Sequence, residues 1–153
     1  TLAGLLANGP VVLTFYRGAW CPYCNLQLRA LSQSLPAIEA AGGQLVAVTP
    51  QTPDKSLEQV SKDGFPFPIL SDLDSTVMRA YGLYFEVPAA LSDVYRRNFD
   101  LELAAYNGAE REVLPVPATY VIDRDGLVRF AFADTDYRRR VEPEAIVAAL
   151  KGL

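Results

Sequence analysis

Val11-Val12-Leu13-Thr14-Phe15-Tyr16-Arg17-Gly18-Ala19-Trp20-Cys21-Pro22-Tyr23-Cys24 is the stretch that decides the fold. Its first six residues form an apolar run rich in β-formers, the pattern of a buried strand. From Pro22 to about Ala41 the pattern changes: Leu28, Leu31, Leu35 and Ile38 recur at helical spacing. Both cysteines therefore sit where a buried strand hands over to a helix. Pro22 suits the first helical turn, because the N–H it lacks would have no partner there. Pro36 is expected to kink or split the helix, and Gly42-Gly43 to end it.

Working outward, Gln44 to Thr49 reads as a second buried strand. Ser56 and Gln59 form a capping box that would open a helix running to about Asp63. Phe67 to Leu70 is a short apolar run, and Asp74 or Ser75 caps a helix that stops at Gly82. Residues 88–108 read as an inserted helical or irregular excursion. Thr119–Ile122 and Val128–Phe132 flank Asp123-Arg124-Asp125-Gly126, a hairpin signal. Val128, Phe130 and Phe132 alternate with Arg129 and Ala131, so this strand should bury one face. Pro143 opens a last helix to about Lys151. Strands alternating with helices, then a hairpin, predict an α/β fold: a mixed central sheet with helices on both faces. The 153 residues form one domain, 1–153. The first residue is Thr1 and not Met, and further residues are expected ahead of it.

Composition removes several function classes. Half the residues are hydrophobic and 21% are charged, the balance of a globular chain. A net charge of −4 does not attract nucleic acid or anionic lipid. The one basic run, Arg138-Arg139-Arg140, reads as a solvated turn before the last helix. No stretch reaches the ~20 apolar residues needed to cross a bilayer, so neither a nucleic acid nor a membrane is an expected partner, and the cytoplasm is the default location. With no histidine, Ser–His and Cys–His catalysis are excluded. Two cysteines without histidine cannot supply the four ligands of a zinc site or of an iron–sulfur cluster. No metal and no cofactor are expected.

What remains is thiol chemistry. The thiolate is the reactive form of cysteine, and an ordinary thiol is mostly protonated at neutral pH. A helix N-terminus offers free N–H groups and partial positive charge, which favour the thiolate. The spacing of Cys21 and Cys24 lets the second sulfur resolve a mixed disulfide or an oxidised first sulfur. Arg17, at the strand end, either holds a thiolate by its charge or is simply solvated. Trp20 and Tyr23 flank the sulfurs, as an apolar platform for a partner or as ordinary aromatics. Cys21, ahead of the first helical turn, is expected to be less covered than Cys24, to attack first, and to be resolved by Cys24.

Phe15 to Cys24 resembles the active-site segment of peroxiredoxin-like proteins of the AhpC/TSA (alkyl hydroperoxide reductase, thiol-specific antioxidant) group. Phe67-Pro68-Ile69-Leu70-Ser71-Asp72 with Ala80-Tyr81-Gly82, and Val116-Pro117-Ala118-Thr119-Tyr120-Val121-Ile122-Asp123, resemble two later stretches of that group. The resemblance implies a thioredoxin-like fold and an antioxidant oxidoreductase. It implies a disulfide or peroxide as substrate and a thioredoxin-like or other thiol reductant as partner, and it admits a homodimer. In the family register Cys24 falls on the peroxidatic position, Cys21 replaces a threonine, and Pro117 replaces an arginine. The Trp-Cys-x-x-Cys arrangement and the Val116–Pro117 pair, on the other hand, resemble thioredoxin. That resemblance implies a cis Val116–Pro117 bond beside the cysteines, with the Val116 backbone free to pair with a substrate strand. It also favours dithiol–disulfide exchange as the activity. Reduction of hydrogen peroxide or organic hydroperoxides by Cys24 is the alternative, and a non-catalytic redox sensor a third. Within the insertion, Tyr95, Arg96 and Arg97 are candidate substrate contacts or parts of an amphipathic surface element.

Overall fold

The computed structural model describes residues 1–153. The elements run α1 (Leu2–Leu6), β1 (Val11–Phe15), α2 (Pro22–Ala40), β2 (Gln44–Thr49), α3 (Pro53–Asp63), β3 (Ile69–Ser71), α4 (Thr76–Ala80), β4 (Tyr84–Glu86), α5 (Ala89–Phe99), α6 (Leu103–Asn107), β5 (Val113–Pro115), β6 (Ala118–Ile122), β7 (Val128–Ala133) and α7 (Pro143–Lys151). Five strands form the main sheet in the order β3-β2-β1-β6-β7. β1 is parallel to β2, and β2 to β3, while β6 is antiparallel to β1 and β7 antiparallel to β6. The sheet is therefore mixed, as the hairpin signal predicts.

The period of two along the central strands divides the core. Val12, Leu45, Ala47 and Val121 point to one face, against Leu28, Leu31, Leu35 and Ile38 of α2 and Ile146 and Leu150 of α7. Val11, Leu13, Phe15, Val46, Val48 and Ile122 point to the other, with Leu6 of α1 and Met78 of α4. All of β1 is buried, which is why its sequence shows no polar alternation. Each such Leu, Ile or Val side chain contributes roughly 1.5–3 kcal/mol by leaving water.

Several local expectations change. Pro36 does not split α2, which runs unbroken from Pro22 to Ala40. Pro36 lies on the exposed side of the helix, where the carbonyl it leaves unbonded can meet water, while the leucine stripe holds the helix on the sheet. α3 begins at Pro53 after Thr52, so Ser56 and Gln59 are not a capping box. They are buried and turn inward. Asp74 does accept the Thr76 N–H at 3.1 Å. Ser75 stands at the N-cap position, as expected, though its side chain makes no cap bond; further capping bonds come from Asp72, whose carboxylate accepts Val77 N–H at 3.0 Å and Met78 N–H at 2.8 Å. β7 is an edge strand and buries its inner face only in part: Phe130 and Phe132 are half-buried and Val128 is exposed.

The insertion is helical, made of α5 and α6. It is bracketed by a small antiparallel sheet of β4 and β5 that the sequence pattern does not announce. Val87, Tyr95, Leu101, Leu103 and Leu114 form its own apolar cluster, against which Trp20 packs. That contact brings the insertion to the cysteine loop.

Candidate active site

The loop between β1 and α2 is shaped by one glycine. Gly18 has φ 147°, and a Cβ there would lie 2.5 Å from the Trp20 indole nitrogen. Only glycine lets the chain fold Trp20 back over this turn. Cys21 N–H then donates to Gly18 C=O at 3.1 Å, and Cys21 becomes the N-cap of α2 with Pro22 in the first turn. The loop is held from below by amides. Gln51 Oε1 accepts the Ala19 N–H at 2.9 Å, and Asn25 Nδ2 donates to Ala19 C=O at 2.8 Å. Gln59 Nε2 bonds Asn25 Oδ1 at 3.0 Å, and the buried Tyr16 hydroxyl donates to Gln59 Oε1 at 2.7 Å.

Cys21 and Cys24 are both reduced and both buried. The expected difference in cover is absent: Cys21 is 1% exposed and Cys24 0%. They differ in electrostatics. Cys21 is drawn down to about 6, first by a hydrogen bond from the Cys24 thiol and then by the Cys24 backbone N–H, Arg17 and Arg140. Burial and the neighbouring Cys21 push Cys24 well up. At neutral pH the pair is a Cys21 thiolate accepting a hydrogen bond from a Cys24 thiol.

Arg17 is not a solvated strand end. It is 4% exposed, and its guanidinium lies 4.8 Å from the centre of the Trp20 ring and 4.3 Å from that of Tyr137. One of its N–H groups donates to the Tyr95 hydroxyl, and its Nε has no partner. The aromatics cover the cation while leaving its charge to act on Cys21.

Arg138-Arg139-Arg140 is likewise only two-thirds a solvated turn. Arg138 pairs with Asp136 and Arg139 with Asp134. Arg140 turns inward, and its Nη2 donates to Cys24 Sγ at 3.3 Å. With Cys24, Pro117, Thr14 and Thr119 it lines a cavity of about 10 Å³, room for one water-sized molecule. Although Pro117 carries no charge, Arg17 and Arg140 bring two guanidinium groups to the pair.

Pro117 does lie beside Cys24, but the Val116–Pro117 bond is trans, as are all the others. The chain passes extended from β5 into β6 there, and trans is the ordinary state of such a bond. Val116 N–H is already given to Leu83 C=O at 2.7 Å, so it is not free for a substrate strand. Trp20 packs on Tyr95 with ring centres 5.3 Å apart. Tyr23, 41% exposed, meets Tyr137 edge-on at 5.7 Å. Of the insertion candidates, Tyr95 joins the site, Arg96 is tied into surface pairs with Asp93, Glu102 and Glu112, and Arg97 is exposed. Gln51, Gln59, Asn25, Tyr137 and Arg140 are site residues that sequence reasoning does not pick out. Only Gln51 carries a hint, as a polar residue two places beyond a buried strand.

A family model described as the AhpC/TSA family matches residues 1–131. The chain belongs to the AhpC/TSA family. Its fold is that of the family's thioredoxin-like peroxiredoxins: the crystal structure of peroxidoxin BcpB from Mycobacterium tuberculosis superposes with a TM-score of 0.77 at 21% identity, covering 99% of this chain and 84% of that one. Among AhpC/TSA relatives, alkyl hydroperoxide reductase E of Mycobacterium tuberculosis is 28% identical over 133 residues, 86% of this chain and 71% of its own. A further protein of that organism, named for the peroxiredoxins, is 34% identical over 76 residues. That match takes in 50% of this chain and about half, 48%, of the relative's length. No helix is long and apolar enough to cross a membrane, and no group of three His, Cys, Asp or Glu is placed to hold a metal.

Proposed function

We propose that this protein is a peroxiredoxin-type antioxidant oxidoreductase that reduces hydroperoxides through the Cys21–Cys24 pair. The observation that carries the reading is the polarised pair itself, a Cys21 thiolate supported by Cys24 and two arginines. Membership of the AhpC/TSA family moves the preference from disulfide to peroxide as the oxidant, since the relatives are named for hydroperoxide reduction.

The steps follow from the charges. The Cys21 thiolate attacks the terminal oxygen of the hydroperoxide. An S–O bond forms, the O–O bond breaks, and the alkoxide leaves as alcohol after taking a proton. Cys21 is then a sulfenic acid. Cys24 gives up its proton and attacks the Cys21 sulfur, forming the disulfide as the hydroxyl leaves as water. Arg140, bonded to Cys24 Sγ, lowers the cost of that deprotonation. A dithiol, of thioredoxin-like or other kind, returns the pair to the reduced state by exchange. Dithiol–disulfide exchange, the reading the local motif favours, is on this account the regenerating half of the cycle.

Peroxide consumption coupled to thioredoxin, run beside reduction of a model protein disulfide, tests the reading. Steady turnover with cumene hydroperoxide or hydrogen peroxide, faster than with the disulfide, is the expected result. Turnover of the disulfide alone would return the protein to an exchange enzyme. Slow oxidation with no turnover of either would make it a sensor.

A further inference from the structure

Beneath the cysteine loop the hydrogen bonds close a circuit. Ala19 N–H donates to Gln51 Oε1 at 2.9 Å, Gln51 Nε2 to Gln59 Oε1 at 3.2 Å, Gln59 Nε2 to Asn25 Oδ1 at 3.0 Å, and Asn25 Nδ2 back to Ala19 C=O at 2.8 Å. All four bonds run the same way round, so each amide donates forward and accepts from behind, and each bond strengthens the next. The side chains come from three places: Asn25 from α2, Gln59 from α3, and Gln51 from the chain that follows β2. Gln51 and Gln59 are both buried. Buried amides are costly unless their polar atoms are paired, and a fully paired network rigidifies what it touches. What this one touches is the reactive loop. It holds both the N–H and the C=O of Ala19, two residues ahead of Cys21. Asn25 holds the loop a second time, since its own backbone N–H donates to Cys21 C=O at 3.1 Å. None of the three amides changes charge with pH, and none places an anion under the Cys21 thiolate, as a carboxylate there would.

We propose that Gln51, Gln59 and Asn25 are positioning residues for the reactive sulfur of Cys21: the circuit fixes Ala19 and, through it, the helix-start geometry that keeps Cys21 against the Cys24 thiol and N–H. The inference rests on Cys21 as the attacking sulfur and holds whichever oxidant it meets. Cys21 is the N-cap of α2, with φ −89° and ψ 114°, and no side-chain cap bond secures it there. Its N–H closes a turn on Gly18 C=O, and Ala19 is a central residue of that turn. With the circuit open, nothing else bonds the Ala19 peptide groups, and the turn that carries Cys21 is free to shift. The sulfur then loses the hydrogen bond from the Cys24 thiol, the largest stabiliser of its thiolate.

The test reads the pH profile of Cys21 alkylation by iodoacetamide, beside the thermal midpoint, in the reduced wild type, Gln51→Met, Asn25→Ala and Leu35→Ala. Gln51→Met keeps the length of the side chain and removes both of its bonds in the circuit. Asn25→Ala opens the circuit by removing a half-buried side chain and leaves a good helix former. Leu35→Ala is the control, because it empties core space about three turns along α2 from Cys24. Gln51→Met and Asn25→Ala should each move the midpoint of the profile up by about one pH unit. Leu35→Ala should lower the thermal midpoint and leave the profile in place. An unmoved profile in Asn25→Ala overturns the inference, even where Gln51→Met fails to fold. So does an equal move in Leu35→Ala, since lost stability alone then shifts the sulfur. Peptide mapping of the label judges the premise separately. Label on Cys24 in the wild type at pH 6 refutes Cys21 as the attacking sulfur, whereas label on Cys21 with an unmoved profile in the variants refutes the circuit alone. No peroxide enters the measurement, so failure of the hydroperoxide reading leaves its outcome intact.

Discussion

Cys21 and Cys24 sit three residues apart on one helix start, are equally buried, and live in different electrical surroundings. On the Cys21 side the chain gathers a covered cation, Arg17, with the Trp20 and Tyr137 rings against it. On the Cys24 side there is a pocket of about 10 Å³ and one guanidinium at 3.3 Å. The helix N-terminus alone would favour both thiolates. What separates them is that each sulfur is the other's strongest neighbour: once Cys21 is ionised, Cys24 must keep its proton and donate it. Burial does not distinguish the two sulfurs. In the proposed cycle proton sharing selects Cys21 as the nucleophile, with Arg17 favouring its thiolate and Arg140 acting on both sulfurs.

The contrast can be attacked at several strengths. Cys24→Ala removes the largest stabiliser of the Cys21 thiolate. The pKa of Cys21 should rise from about 6 toward the ordinary thiol range, and its alkylation rate at pH 6.5 should fall about tenfold. Alkylation across a pH series measures both, and an unmoved profile would deny the proton sharing. Arg140→Met acts on the other sulfur. Closure of the disulfide should slow by about tenfold, with sulfenic acid accumulating after a peroxide pulse. Stopped-flow Trp20 fluorescence with mass spectrometry follows it. If closure keeps its rate, Arg140 does not assist Cys24.

A smaller effect concerns stability. The folded Cys21 is a stronger acid than in the unfolded chain, so its contribution to stability is full above the ordinary thiol range. It shrinks as pH falls and is gone below about 6. Urea midpoints of the reduced protein should therefore drop between pH 8 and pH 5, and drop less in Cys21→Ser. An equal drop in both would place the acid sensitivity elsewhere. Smallest of all is Tyr23→Ala, which removes an exposed edge contact with Tyr137. A loss of no more than about 1 kcal/mol is expected.

How much of this is legible in the sequence depends on distance along the chain. The buried β1 and β2 runs, the leucine stripe of α2 and the cysteines at the strand-to-helix junction are local patterns, and the structure contains each of them. The mixed sheet follows from the same signals plus the Asp125-Gly126 turn. The site around the cysteines is another matter. Arg140 lies 116 residues from Cys24, and in the sequence it belongs to a run whose other two members pair with Asp136 and Asp134 at the surface. Gln59 reads as a helix cap because its spacing from Ser56 fits one, yet Pro53 starts the helix earlier and turns both inward. The trans Val116–Pro117 bond answers to β5, a three-residue strand whose pairing with β4 has no sequence signal.

In the proposed cycle Cys21 is the thiolate that meets peroxide and Cys24 the thiol that closes on it. Trapping sulfenic acid in Cys24→Ser and in Cys21→Ser, after one equivalent of cumene hydroperoxide, tests this most directly by mass spectrometry. Cys24→Ser should gain one oxygen on Cys21 rapidly, while Cys21→Ser, left with a buried thiol of raised pKa, should stay unmodified over the same time. Rapid oxidation of Cys24 in Cys21→Ser, with Cys21 inert in Cys24→Ser, would contradict the account and make Cys24 the peroxidatic residue.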